Sequence, residues 1–143
     1  MAQQLENNPH STLISNRSLS AGQEMLSNNG KVKLIMQSDG NLCLYITKNS
    51  KCVWDTWHKG GVGDIKDKNC RLVMQTDGNL CLYNSESKCV WDTWHKGGVG
   101  SIDDNNCKLI MQDDGNLCLY DSKSKCVWDT WHKGGVGNIS NQL

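Results

Sequence analysis

The chain has 143 residues, and its 15 Lys and Arg balance its 15 Asp and Glu. This length suits one domain, and a balanced charge without a basic stripe argues against a nucleic-acid partner. No apolar run reaches the roughly 18 residues that a membrane span needs, so membrane insertion is not expected. The first ten residues have neither the cationic start nor the apolar core of a secretory signal. This favours a cytoplasmic location or release without a classical signal peptide.

An internal repeat dominates the sequence and defines its domain organisation. The heptapeptide Asp-Gly-Asn-Leu-Cys-Leu-Tyr begins at residues 39, 77 and 114, and Lys-Cys-Val-Trp-Asp-Thr-Trp-His-Lys-Gly-Gly-Val-Gly begins at residues 51, 88 and 125. A single domain over residues 16–137 is therefore predicted, with repeat units at about 27–63, 64–100 and 101–137. Residues 1–15 are polar and are expected to be flexible, and residues 138–143 form a tail that extends the last strand or hangs free.

Each unit has the two-residue period of β-strands. In the first unit, alternating segments at 33–37 and 41–45 flank an Asp39-Gly40 turn, which predicts a β-hairpin. A third strand at 52–57 follows, and Gly-rich residues end the unit. Three small sheets cannot each bury a face alone, so we expect an all-β fold around a shared pseudo-threefold core. The residues predicted to pack in this core are Leu34, Met36, Leu42 and Leu44 with their repeats, and at least one Trp per unit.

The same alternation predicts a polar surface on the other face of each sheet. If the leucines of the second strand point inward, its Asn, Cys and Tyr point outward, together with a Gln on the first strand and the Asp of the turn. Amides, a carboxylate and a phenol around one small apolar residue suit a ring of neighbouring hydroxyls. The alternative is that Asp, Gly and Asn only form the turn, Tyr caps a sheet edge and Gln is solvated. Repetition of the whole set in three units favours a binding site.

The repeated spacing Gln-x-Asp-x-Asn-x-Cys-x-Tyr resembles the QxDxNxVxY signature of the bulb-type, snowdrop agglutinin-like mannose-binding lectins of monocots. The resemblance covers about residues 12–137. It includes a lead-in segment at 19–26 and the Trp54, Trp91 and Trp128 positions, which fill the central axis in that family. It implies the β-prism II fold, with three antiparallel sheets around a pseudo-threefold axis. It also implies that α-mannose binds without a metal or a cofactor.

Carried over by position, the resemblance implies three sugar sites per chain. Gln, Asp, Asn and Tyr would hydrogen-bond mannose hydroxyls, with Asp and Asn at the axial 2-OH, and Cys would replace the family's Val as the apolar contact. The implied sites are Gln37, Asp39, Asn41, Cys43 and Tyr45; Gln75, Asp77, Asn79, Cys81 and Tyr83; and Gln112, Asp114, Asn116, Cys118 and Tyr120.

The resemblance further implies a non-catalytic lectin that crosslinks mannose-bearing glycans or glycoproteins through several weak sites. Family members often dimerise by exchange of the C-terminal strand, here residues 126–131, so a homodimer is expected. Nothing in the sequence has the arrangement of a catalytic site. An intracellular scaffold that links membranes or glycoproteins to the cytoskeleton is the alternative function.

The eight cysteines and the repeated His and Trp residues leave alternatives open. Any disulfide pairing that follows the repeat leaves some thiols without a partner. We therefore expect the cysteines to be reduced. No CxxC or clustered Cys and His spacing occurs, so no metal site is predicted. His58, His95 and His132 are expected to be solvated in exit turns. Trp57, Trp94 and Trp131 either line the core or an interface, or stack on sugar.

Overall fold

The computed structural model describes residues 10–143, which form twelve β-strands and one 3-10 turn. Three short strands come first: β1 (Thr12–Ile14), β2 (Arg17–Ser20) and β3 (Glu24–Leu26). The three repeat units then supply β4 (Val32–Met36), β5 (Leu42–Ile46) and β6 (Lys51–Asp55); β7 (Arg71–Met74), β8 (Leu80–Tyr83) and β9 (Cys89–Asp92); and β10 (Lys108–Met111), β11 (Leu117–Tyr120) and β12 (Cys126–Asp129). The 3-10 turn spans Ser140–Gln142. No helix in this part of the chain is long and apolar enough to cross a membrane.

The strands form three antiparallel four-stranded sheets, which confirms the expected architecture. Each unit contributes three consecutive strands, and the N-terminal segment adds one strand to each unit. The sheet orders are β3-β4-β5-β6, β2-β7-β8-β9 and β1-β10-β11-β12. The chain thus completes all three sheets with its own strands, and β12 pairs with β11 of the same chain. The homodimer by strand exchange stays a prediction.

The prediction of a flexible segment over residues 1–15 is wrong for its described part. Residues 1–9 lie outside the described residues, but β1 pairs with β10, with Thr12 opposite Ile110. Ser11, Thr12 and Leu13 are buried. The physical reason is that β10 would otherwise be the edge strand of the third sheet, with unpaired backbone N–H and C=O groups. β1 forms hydrogen bonds with these groups. The polar composition of the segment gave no sign of this pairing.

Three tryptophans meet at the centre of the molecule. The rings of Trp54, Trp91 and Trp128 lie with centroids 5.5–5.7 Å apart at interplanar angles of 68–70°. This edge-to-face arrangement suits aromatic quadrupoles, and each ring contacts the other two. Around them the predicted inward residues are almost completely buried: Leu34, Met36, Leu42, Leu44 and their repeats are 0–1% exposed. The predicted core is confirmed.

A β-bulge interrupts the pairing of the last two strands in every sheet. Cys43 lies opposite Asp55, whereas Tyr45 lies opposite Cys52, so β6 carries one residue more than β5 over this stretch. The same shift recurs between β8 and β9 and between β11 and β12. The extra residue lets Val53 and Trp54 both pack in the core. Cys52 and Asp55 can then share the outer face, although an odd spacing of three would separate them in a regular strand.

The C-terminal tail neither extends β12 nor hangs free, which corrects that expectation. Ile139 is 2% exposed, and its side chain covers the turn at Gly115, where an added Cβ would come within 3.1 Å of it. Ile65 and Ile102 contact Gly40 and Gly78 in the same way. The tail therefore begins as a third copy of the segment that follows each unit, and its isoleucine covers the last hairpin.

Candidate functional site

The four polar residues of the first unit converge at the hairpin between β4 and β5. The Gln37 Nε2 donates to both carboxylate oxygens of Asp39, at 3.2 and 3.1 Å. The backbone N–H of Asn41 donates to the Asp39 Oδ1 at 3.0 Å, and the Tyr45 hydroxyl donates to the Gln37 Oε1 at 2.5 Å. The side chains therefore hold one another in place before any ligand arrives.

The other two units repeat this network. The Gln75 Nε2 donates to both oxygens of Asp77 at 3.2 Å, and Tyr83 donates to the Gln75 Oε1. In the third unit, the Gln112 Nε2 donates to both oxygens of Asp114 at 3.2 Å. Tyr120 donates to the Gln112 Oε1. The structure thus brings the predicted residues together three times, once in each unit.

The predicted site residues lie deeper than an exposed sheet face would place them. Asn41 is 6% and Cys43 is 2% exposed, and their repeats have the same values within each type. By contrast, Gln37, Asp39 and Tyr45 are at least partly exposed. The third strand and its exit loop cover the inner half of each site, because residues of the Trp-Asp-Thr-Trp-His segment contact the Asn side chain. The expectation of an exposed sheet face is therefore wrong for Asn and Cys.

The side chain of Asn41 is held from three directions. Its Nδ2 donates to the Asp55 Oδ2 at 2.9 Å. Its Oδ1 accepts from the backbone N–H of Trp57 at 3.1 Å and from the Thr56 hydroxyl at 3.3 Å. One amide N–H has no acceptor among residues 10–143 and remains for a ligand. Asn79 and Asn116 have the same partners in their units.

The comparisons with known proteins identify the family. A scan against protein-family models and a search of curated proteins return no match. Among solved structures, a monomeric monocot mannose-binding lectin from Gastrodia elata is 34% identical, with a TM-score of 0.70 over 85% of this chain and 97% of that one. The snowdrop (Galanthus nivalis) mannose-specific agglutinin, complexed with methyl-α-D-mannoside, is 36% identical, with a TM-score of 0.62 over 78% and 90%. A Marasmius oreades lectin is 30% identical, with a TM-score of 0.70 over 90% and 96%.

The chain belongs to the bulb-type mannose-binding lectin family. Its three four-stranded sheets around the tryptophan axis form the β-prism II fold of bulb-type lectins. The five-position signature recognised in the sequence lies at the same hairpin in every unit. Its departure from the bulb-type pattern, Cys in place of Val, lies on the floor of each site at Cys43, Cys81 and Cys118.

The sequence signature of bulb-type lectins did not include the carboxylate behind Asn41. Burial opposes ionisation of Asp55, but hydrogen bonds from Asn41 and His58 outweigh it and lower the pKa of Asp55. The His58 Nδ1 lies 2.6 Å from the Asp55 Oδ2, and this hydrogen bond raises the pKa of His58. An ionised carboxylate therefore anchors the amide. The sequence signal that could have found it is the identical Trp-Asp-Thr-Trp-His segment of all three units.

The phenols of the sites stay protonated at physiological pH. Burial raises the pKa of Tyr45 and of Tyr83 to about 12, and it also raises the pKa of Tyr120. Because each hydroxyl donates its proton to a Gln oxygen, its lone pairs are left to accept from a ligand. Each site therefore offers a phenolic acceptor beside the carboxylate acceptor and the amide donor.

Two cysteines of each unit approach each other across neighbouring strands, which the sequence spacing did not indicate. The Sγ atoms of Cys43 and Cys52 and a carboxylate oxygen of Asp55 all lie within 4.8 Å of one another. A hydrogen bond with Cys52 and burial raise the pKa of Cys43, and the same bond lowers the pKa of Cys52. All eight cysteines are free thiols in this structure.

The structure describes each repeated His and each second Trp within its own unit. The side chains of His58, His95 and His132 are 80–81% exposed, and each pairs with the Asp of its own unit. No group of potential metal ligands within residues 10–143 contains a histidine. The indole N–H groups of Trp57, Trp94 and Trp131 are buried and have no hydrogen-bond partner among these residues.

Proposed function

We propose that this chain binds α-mannose at three sites, one per repeat unit, and crosslinks mannosylated glycans without catalysis. The observation that carries the proposal is the threefold recurrence of one Gln-Asp-Asn-Tyr network at the same hairpin. The likeness to the snowdrop agglutinin complexed with methyl-α-D-mannoside supports the choice of sugar.

The donors and acceptors that are not used within the network suit the hydrogen bonds of a sugar with adjacent hydroxyls. The Asp39 carboxylate and the Tyr45 hydroxyl oxygen accept, and the second Nδ2 hydrogen of Asn41 donates. A hydroxyl both donates and accepts, so one placed between Asp39 and Asn41 satisfies both. The buried Cys43 supplies a small apolar floor for the ring carbons. Because the polar groups are held before binding, little conformational entropy is lost when the sugar arrives.

Multivalency raises the apparent affinity of weak sites of this kind. A shallow site that binds a monosaccharide at about 1 mM contributes only about 4 kcal/mol. Several sites on one rigid body raise the apparent affinity for a branched glycan by orders of magnitude when their spacing permits simultaneous contact. The three sheets surround one tryptophan core, so the three hairpins are held in fixed positions relative to one another. The proposed crosslinking therefore needs one chain only.

A calorimetric titration tests the proposal directly. The reduced protein is titrated with methyl α-mannoside, with the corresponding α-galactoside as the control sugar. We expect saturation near three mannosides per chain and no heat with the galactoside, in which the 2-OH is equatorial and the 4-OH axial. Absence of heat with both sugars, or equal affinity for both, would contradict the proposal.

A further inference from the structure

A second cluster of chemically reactive groups lies beside each proposed sugar site. In the first unit it consists of the thiols of Cys43 and Cys52 and the carboxylate of Asp55, with their ligand atoms within 4.8 Å of one another. The equivalent groups are Cys81, Cys89 and Asp92, and Cys118, Cys126 and Asp129. The family signature has Val at the position of the first cysteine of each set, so it does not account for the mutual approach of two thiols and a carboxylate.

The β-bulge is what assembles this cluster. Cys52 and Asp55 are three residues apart on β6, and a regular strand would place them on opposite faces. The register shift opposite Tyr45 adds one residue and brings both to the face where Cys43 lies on β5. Two rigid neighbouring strands therefore hold all three ligand atoms, and the same bulge repeats this arrangement in the other two sheets.

We propose that each unit binds one thiophilic divalent cation, with Zn²⁺ as the fitting ion, between the two thiols and the carboxylate. Two sulfurs and one oxygen are the ligand types of zinc, whereas Ca²⁺ and Mg²⁺ prefer oxygen alone. Three protein ligands leave the fourth tetrahedral position to water. Cys43 is 2% exposed while Cys52 is exposed, so the ion enters from the Cys52 side.

Ion binding has a defined proton balance. Each thiol that is still protonated loses its Sγ proton to the buffer when the metal–sulfur bond forms, and the carboxylate is already ionised. The Asp55 Oδ1 accepts from the backbone N–H groups of His58 and Lys59 at 3.2 and 3.4 Å. The Oδ2 accepts from Asn41 and lies 2.6 Å from the His58 Nδ1, so its neighbours orient the carboxylate before an ion arrives.

The inference does not depend on the proposed sugar function, although the two sites share a border. The cation would lie behind Asn41, on the carboxylate that anchors this amide, and its sulfur ligand Cys43 forms the floor of the sugar site. A failure of metal binding leaves the mannose titration unaffected, and the reverse also holds.

Metal titration of the full chain tests the proposal. The protein is reduced with a non-thiol phosphine and titrated with ZnCl₂ in competition with a chromophoric chelator, and with CoCl₂ in parallel. We expect three ions per chain, proton release on zinc uptake, and a sulfur-to-cobalt charge-transfer band with the visible spectrum of tetrahedral Co²⁺. Substitution Cys52→Ser is expected to reduce the stoichiometry to two, and Cys52→Ser, Cys89→Ser and Cys126→Ser together should abolish binding.

Two further variants separate ligation from folding. Cys43→Val, Cys81→Val and Cys118→Val together replace the buried sulfur by the apolar residue of the family signature, so zinc binding is lost while the thermal unfolding transition is retained. Cys70→Ser with Cys107→Ser changes the two cysteines outside the clusters, and three ions are expected to bind as in the original chain. Zinc binding that persists in the triple serine variant, or a reduced original chain that takes up no zinc or cobalt, would overturn the proposal.

Discussion

The amide of Asn41 donates to the carboxylate of Asp55 at 2.9 Å, which ties the hairpin turn of each unit to the end of its third strand. This bond recurs at the same length in the other two units. Because the Asn oxygen is also occupied by the exit loop, the whole amide group is fixed in one orientation. Asp55 therefore acts as a positioning residue for the proposed sugar site without facing the ligand itself.

The first prediction tests this positioning role. Asp55→Ala removes a charged hydrogen-bond acceptor, which costs about 1.5–3 kcal/mol of stability. It also frees the Asn41 side chain, so the stoichiometry of methyl α-mannoside is expected to fall from three to two in a calorimetric titration. The two unchanged sites serve as an internal standard of folding. Asp64→Ala removes an exposed carboxylate outside the network and should leave three sites. Three intact sites in Asp55→Ala would contradict the positioning role.

The second prediction concerns the phenols. Tyr45→Phe, Tyr83→Phe and Tyr120→Phe together remove the hydroxyls that hold the Gln side chains and offer lone pairs to a ligand. Loss of one neutral hydrogen bond per site costs about 0.5–1.5 kcal/mol, so the Kd of each site should rise by up to about tenfold. The stoichiometry stays at three because the carboxylate and the Asn remain. An unchanged Kd would show that the phenols only support the sheet.

Much of this fold could be predicted from the sequence because the repeat states the same pattern three times. The alternation of Leu42 and Leu44 with polar residues gave the core and the outer face, and the Asp-Gly turn gave the hairpin. Tertiary context decided the rest. The strand at Thr12–Ile14 has no strong local signal and exists because the third sheet has an open edge. The burial of Ile139 depends on its contact with the turn at Gly115, which is distant in the sequence pattern.

The approach of Cys52 to Cys43 was not predictable for a related reason. A strict two-residue period assigns Cys52 and Asp55 to opposite faces, and only the register shift reverses this assignment. Nothing in a single sequence marks the position of such a bulge. The repeated Trp-Asp-Thr-Trp-His segment did mark a conserved environment within the chain, but its carboxylate contacts depend on the exit loop folding back over the site.

The third prediction is a pH dependence of stability at the links between units. Backbone N–H groups of Asn69 and Ser85 donate to the Asp67 carboxylate, and these bonds lower its pKa in the folded state. A lowered folded pKa contributes stability above the unfolded value of about 3.9, and this contribution is lost as the pH falls through the folded pKa. Thermal unfolding should thus be less sensitive to acidification in Asp67→Asn than in the original chain. A carboxyl titration followed by NMR should give a midpoint below about 3.9 for Asp67, and an ordinary midpoint would contradict the prediction.

The last prediction separates the cost of backbone conformation from the cost of close packing at two glycines of the second unit, one in the hairpin turn and one in the exit loop. Gly78 and Gly98 have φ values of 92° and 78°, where a side chain is strained. A Cβ at Gly78 would lie 2.9 Å from the backbone oxygen of Asp104, whereas a Cβ at Gly98 would meet nothing within 4 Å. Gly98→Ala is expected to cost about 1 kcal/mol, and Gly78→Ala about 1–3 kcal/mol more, as measured by urea unfolding. Because the displaced linker also bonds to the turn that carries Asp77, Gly78→Ala should weaken mannoside binding at the second site only. Equal unfolding free energies for the two variants would show that the linker moves aside without cost.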